Sequence, residues 1–149
     1  MTAPVFADSS AGVKRYLDEP GAEIVRGATE LVFSALTRVE LPSAVWRKER
    51  EGLLTVDQVA AVLDAFEGDW HGTALTAPVF GVIATDPNIL VRAAQLTGRH
   101  ALRAGDAIQL ACAVEARRAT SDLQTFLAFD ERLRAAALRE GFAVLPAEI

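Results

Sequence analysis

Short apolar runs alternate along this chain with longer stretches in which apolar positions recur every three or four residues. Val5-Phe6-Ala7 predicts a strand, and Ser9 to Asp18 a helix with Val13, Tyr16 and Leu17 on one side. Pro20-Gly21 interrupts it, and Ala22 to Ala28 predicts a second short helical piece. Leu31-Val32-Phe33 predicts a second buried strand, which runs through Ser34 as N-cap into a long helix reaching Glu51 and stopped by Gly52. Thr55 caps an amphipathic helix to Phe66, with Val56, Val59, Val62 and Leu63 on its apolar side. Pro78 to Ala84 predicts a third strand, and Asp86-Pro87 opens a helix through Leu96 with proline at its first position. Residues 100 to 118, HALRAGDAIQLACAVEARR, read as one helix, apolar nearly all round from Ala104 to Val114 except for Asp106 and Gln109. Thr125 to Phe129 predicts a fourth strand, Glu131 to Glu140 its helix, with Gly141 as the stop, and Phe142 to Leu145 an edge strand.

Short strands alternating with helices predict an α/β sandwich around a mostly parallel central sheet. No repeat, linker or low-complexity segment divides the 149 residues, which suit one domain with a real core. In this class ligands bind beyond the carboxyl ends of the strands.

Composition narrows the field. At 51% hydrophobic and 23% charged the chain does not have the profile of an extensively disordered one. No apolar run is long enough to span a membrane, and MTAPVFADSS lacks the basic region of an export signal. The single Cys112 excludes an internal disulfide and a thiolate metal cage, which fits a reducing cytoplasm. The net charge of −5 lacks the basic footprint of a protein that grips nucleic acid by its phosphates alone. A polyanionic ligand would need positive charge from something other than side chains.

Four acids stand in apolar settings. Asp8 and Asp130 end strands and begin helices, so each reads either as an N-cap or as a site residue at one edge of the sheet. Ser9 and Ser10 are competing caps that would leave Asp8 unengaged. Glu40, amid Leu36, Val39, Leu41, Ala44 and Val45, reads as a buried acid or as the partner of Thr37 in a capping box, and Pro42 should kink this helix or mark its first turn. Asp106 reads as a helix start or, with Leu102, Gln109 and Ala113, as part of a buried stripe where a carboxylate must be paired or hold a metal. Converging carboxylates repel one another and take up protons unless a cation sits between them. An all-oxygen set suits Mg²⁺ or Mn²⁺, either of which could receive a phosphate.

FADSSAGVKRYLDEPGAE, TRVEL, HALRAGDAIQLACAV and FLAFDERLRAAALREGFAVLP, in this order, resemble the PIN domain. More narrowly they resemble the VapC-type ribonuclease toxins of bacterial toxin–antitoxin pairs. The resemblance spans essentially the whole chain, and LRAGDAIQLA is its most specific piece. It implies a single PIN domain over residues 1–149, a three-layer α/β/α sandwich, and Asp8, Glu40, Asp106 and Asp130 as a quartet binding Mg²⁺ or Mn²⁺. It further implies a cytoplasmic, metal-dependent endoribonuclease that forms homodimers and is inhibited by a cognate antitoxin whose C-terminal segment blocks the acidic cleft. Members commonly carry Thr or Ser two residues before the fourth acid; here that residue is Ala128, which removes a secondary hydrogen bond, and Asp122 is another candidate for the fourth role.

On that reading Glu40 takes the proton of the attacking water, Ser9 or Ser10 binds metal or phosphate, and Lys14, Arg15 and Arg103 hold the RNA backbone. Trp46, Trp70 and Phe66 are candidates for an apolar partner patch, with the core as their default location. The competing expectation is a PIN-like protein- or RNA-binding module without catalysis. Hydrolysis of a small phosphate ester is a further one. An aspartyl phosphotransferase is disfavoured because Ser10 occupies the position of its second Asp. No Gly-rich phosphate loop occurs, and His71 and His100 are too few for a histidine-based site.

Overall fold

The computed structural model describes residues 3–148. Its strands are β1 (Val5–Ala7), β2 (Leu31–Ser34), β3 (Gly81–Ile83), β4 (Thr125–Leu127) and β5 (Ala143–Leu145). They form one sheet in the order β3-β2-β1-β4-β5, with every pairing parallel. Parallel neighbours need crossovers, and the helices supply them: α1 (Ser9–Val13), α2 (Ala22–Gly27), α3 (Thr37–Arg50), α4 (Val56–His71), α5 (Pro87–His100), α6 (Ala104–Ala119) and α7 (Glu131–Arg139).

Alternate strand residues face opposite sides of the sheet and so build two cores. Phe6, Val32 and Phe126 pack with Ile89, Leu96, Leu110 and Leu133 of α5, α6 and α7. Ala7, Leu31, Phe33 and Leu127 pack with Val13, Val25, Val45, Val59 and Phe66 of α1 to α4. The result is the expected α/β/α sandwich, with β5 on an edge as the sequence predicts and β3 on the other. Sheet order reverses about β1, whose neighbours are β2 and β4. The carboxyl ends of β1 and β4 therefore open onto the crevice that such a reversal creates.

Several boundaries differ from the sequence expectation. The first helix ends at Val13, not Asp18, because Lys14, Arg15 and Tyr16 bond back only three residues, to Ala11, Gly12 and Val13. This tight turn lets the Tyr16 hydroxyl donate to Asp69 at 2.7 Å. Ser34 does not cap a helix; it is the last residue of β2, and its Oγ accepts from the Leu36 N–H at 3.1 Å. α3 then starts at Thr37 and runs through Pro42 to Arg50, although proline withholds one N–H from the ladder. The third strand shrinks to Gly81–Ile83, since Val79 N–H bonds to the Asp69 carbonyl outside the sheet.

α4 keeps Thr55 as its cap, completed by Gln58, and extends to His71. Residues 100 to 118 are not one helix. α5 ends at His100, Ala101 adopts the left-handed conformation (φ 53°), and α6 begins at Ala104. Leu102 is buried but lies outside α6, so the stripe drawn from it to Asp106 does not exist.

Candidate functional site

Asp8 and Asp130 leave adjacent parallel strands and both cap the following helix. Asp8 Oδ1 accepts from Ala11 N–H at 2.9 Å, and Asp130 Oδ2 accepts from Leu133 N–H at 2.9 Å. Neither Ser9 nor Ser10 replaces Asp8 as the cap. The two acids differ in setting: Asp8 is buried, 4% exposed, whereas Asp130 is open to solvent. Asp106 is the third residue of α6, a first-turn acid favoured by the helix dipole. It is half-buried, and its carboxylate makes no hydrogen bond or ion pair among the described residues.

Glu40 does not close a capping box, since Thr37 lies inside α3 and turns its hydroxyl inward. Instead, Glu40 Oε1 lies 2.8 Å from Ser9 Oγ and 2.8 Å from Gln109 Nε2. Gln109 Nε2 also lies 2.8 Å from Ser9 Oγ, and Thr37 Oγ1 is 2.8 Å from the same atom. Hydrogen-bond directions follow from donor capacity. Ser9 accepts from the Gln109 amide and from Thr37, so its one proton goes to Glu40. Glu40 Oε2 lies over α6, where a Cβ on Gly105 would stand 3.1 Å from it.

The four acids share one electrostatic neighbourhood. Burial is the main cause that pushes Asp8 up to about 7; its bond to Ala11 opposes this, and Asp106, Glu40 and Asp130 reinforce it. Burial also raises Asp106, with Asp130 and Glu40 adding to the rise and Arg103 opposing it. Three clefts meet here. One, of about 230 Å³, is lined by Asp8, Ser9, Glu40, Asp106 and Gln109. Another is lined by Arg103, Asp106, Phe129, Asp130 and Arg132, and the third by Ser10, Lys14, Arg47, Phe129 and Asp130.

Convergence stops short of a closed cage: among the described residues no three His, Cys, Asp or Glu side chains group closely enough to hold an ion. The donor chemistry nevertheless fits a hard divalent cation. Each of the four carboxylates keeps at least one oxygen without a hydrogen bond among the described residues, and no ion pair neutralises Asp8 or Asp106.

The basic residues divide. Lys14 is paired with Glu19 at 3.4 Å over the Phe129 ring. Arg15 turns away from the acids to Asp69 at 3.1 Å, which removes it from the expected substrate contacts. Ser9 is likewise turned inward by its bonds to Thr37, Glu40 and Gln109 rather than presented to a phosphate. Arg103 borders the site, as do Arg47 and Arg132, which the sequence did not single out; none of the three is ion-paired among the described residues. Asp122 precedes β4 at the opposite end of the sheet and is no alternative fourth acid. Ala128 is fully buried among Phe126 and Leu133. Phe66 is core and Trp70 packs on it, while Trp46 is 40% exposed.

No protein-family model matches the sequence, and no curated protein matches it significantly. Solved structures do. VapC20 of Mycobacterium tuberculosis, described as a sarcin-ricin loop cleaving toxin, superposes with a TM-score of 0.62 at 17% identity, covering 93% of this chain and 96% of that one. FitAcB from Neisseria gonorrhoeae gives 0.61 at 19% identity, covering 97% and 99%. A toxin–antitoxin complex from Klebsiella pneumoniae gives 0.57 at 16% identity, covering 85% and 86%. At these identities the likeness is one of fold. The three-layer sandwich implied by the resemblance to the PIN domain is the fold this chain adopts, and solved structures sharing it include a VapC toxin, as that resemblance also implied.

Proposed function

We propose that the chain is a Mg²⁺- or Mn²⁺-dependent endoribonuclease, the toxin of a toxin–antitoxin pair. One observation carries the reading: four carboxylates, each with an uncommitted oxygen, line adjoining clefts at the carboxyl edge of a sheet whose fold is also that of a sarcin-ricin loop cleaving toxin. Asp8, Glu40, Asp106 and Asp130 would hold the ion. When bound, it supplies Lewis acidity toward a phosphodiester and offsets the charge that would repel a polyanion. Glu40 would meet the ion through Oε2, because Oε1 is already occupied by two donors. Asp8 and Asp130 are held in place by the helices they cap. Arg47, Arg103 and Arg132 flank the acids and bind the RNA backbone on either side.

The partner is a cognate antitoxin that sends a basic residue of its C-terminal segment into the acidic cleft. Val39, 68% exposed at the rim of that cleft, and the half-exposed Trp46 on the same helix are apolar surface for it. Self-association into a homodimer and a cytoplasmic setting belong to the same reading. Among the described residues no helix is long and apolar enough to cross a membrane.

The test is an RNase assay with Mg²⁺ or Mn²⁺ on wild type, Asp8→Asn and Asp106→Asn. Both variants should lose activity at least about 100-fold, the scale of a removed catalytic group. Equal activity in all three would leave the chain a PIN-like binding module, and turnover of a nucleotide ester but not of RNA would make it a phosphoesterase.

A further inference from the structure

We propose that Gln109 is a positioning residue that, with Ser9, fixes Glu40 Oε1 and so dedicates Oε2 to the cation in the cleft. The inference deepens the nuclease reading and rests on it. Gln109 is 2% exposed, projects from the first turns of α6 and meets residues of α1 and α3 that stand 100 and 69 positions away. Both protons of its amide nitrogen have acceptors, Ser9 Oγ at 2.8 Å and Glu40 Oε1 at 2.8 Å.

The orientation has a cost, since Gln109 Oε1 is buried and has no donor among the described residues. A buried acceptor left unpaired destabilises the fold, so packing alone would favour a side chain with no carbonyl there. Turning the amide over would set its oxygen against the Glu40 carboxylate. The geometry therefore requires Glu40 as a pure acceptor, with two donors on one oxygen and the other pointing along Gly105. Donors that hold one oxygen of a metal-binding carboxylate orient the other and set its affinity for the ion.

The experiment measures Mn²⁺ binding to the whole chain by calorimetry, with RNA cleavage and melting temperature followed in parallel. Gln109→Met removes the donor and the orphaned carbonyl at nearly constant volume; Ser9→Ala removes the other donor and serves where the first variant folds poorly. Each should weaken Mn²⁺ binding about 10- to 100-fold, and kcat should fall by a similar factor while KM for RNA holds; in Gln109→Met the melting temperature should hold as well. In a Glu40→Gln background the same substitutions should add no further loss, since they act through Glu40. Unchanged Mn²⁺ affinity in both variants would overturn the proposal, as would an equal loss in both backgrounds or a drop in melting temperature without loss of affinity. A wild type that binds Mn²⁺ without cleaving RNA removes the nuclease reading and leaves this inference to be decided by the binding data. A wild type that does not bind Mn²⁺ removes both.

Discussion

Asp8 and Asp130 make the same local bond on neighbouring strands, each accepting an N–H three residues onward at 2.9 Å, yet one is buried and the other open to water. The duplication separates what a carboxylate does for a helix from what it does for a crevice. An amide in its place keeps the cap and removes the charge.

For Asp130 this gives two variants with opposite signatures. Asp130→Ala should destabilise by about 1 kcal/mol through loss of the cap, whereas Asp130→Asn should hold stability. Both should lose Mn²⁺-dependent RNase activity. Urea unfolding beside the cleavage assay decides it; full activity in Asp130→Asn would confine the residue to capping.

Asp8 adds a pH dependence. Its acid is raised to about 7 in the folded protein against 3.8 unfolded, so between these values the native state binds more protons. Stability of the metal-free protein is thus greatest on the acid side of the window and falls as pH rises through 7. Asp8→Asn keeps the cap and carries no charge, so at pH 8 it should exceed wild type by up to roughly 4 kcal/mol, the full difference between the two acid constants. Denaturation at pH 5 and pH 8 measures it, and an identical pH slope in wild type and Asp8→Asn would contradict the assignment.

Gly105→Ala sets fold against site. Alanine is better than glycine in a helix by up to about 1 kcal/mol, so stability should hold or rise. The new Cβ, 3.1 Å from Glu40 Oε2, pushes that oxygen out of place. Mn²⁺ affinity and cleavage should fall while the melting temperature does not; a variant with wild-type cleavage would show that Glu40 needs no fixed position.

Arg47→Ala and Arg103→Ala should each raise KM for RNA with little change in kcat. Each should also flatten the salt dependence of binding by about 0.7 in log–log slope, the increment for one phosphate contact on a single strand. Filter binding across a salt series is the measurement. An unchanged slope in both would place the RNA elsewhere.

The sheet was legible because its strands are short runs of bulky apolar residues between turn signals, and Phe6, Phe33 and Phe126 had no plausible place but the interior. Helix ends were less so. Nothing in RHALRAG beyond the basic Arg99-His100 pair hints that Ala101 turns left-handed there, since alanine favours a helix and the packing of α5 on α6 overrides it. The four acids could be picked out because a carboxylate in apolar company is conspicuous. Ser9 was expected at metal or phosphate and Gln109 only on a stripe with Asp106; their joint hold on Glu40 was not legible, because hydrogen bonds spanning 100 residues leave no local periodicity. Arg47 had no signal, being one cation among several on an amphipathic helix.

The order of strands also bears on synthesis. β1 leads into Asp8, but its neighbour β4 and Asp130, three residues beyond the end of β4, come more than a hundred positions later. While the ribosome is still making α6, β1 has β2 beside it and an open edge on its other flank. Whatever the crevice does, a nascent or truncated polypeptide lacking β4 is missing one of its walls, so the site is complete only once β4 and Asp130 have been made.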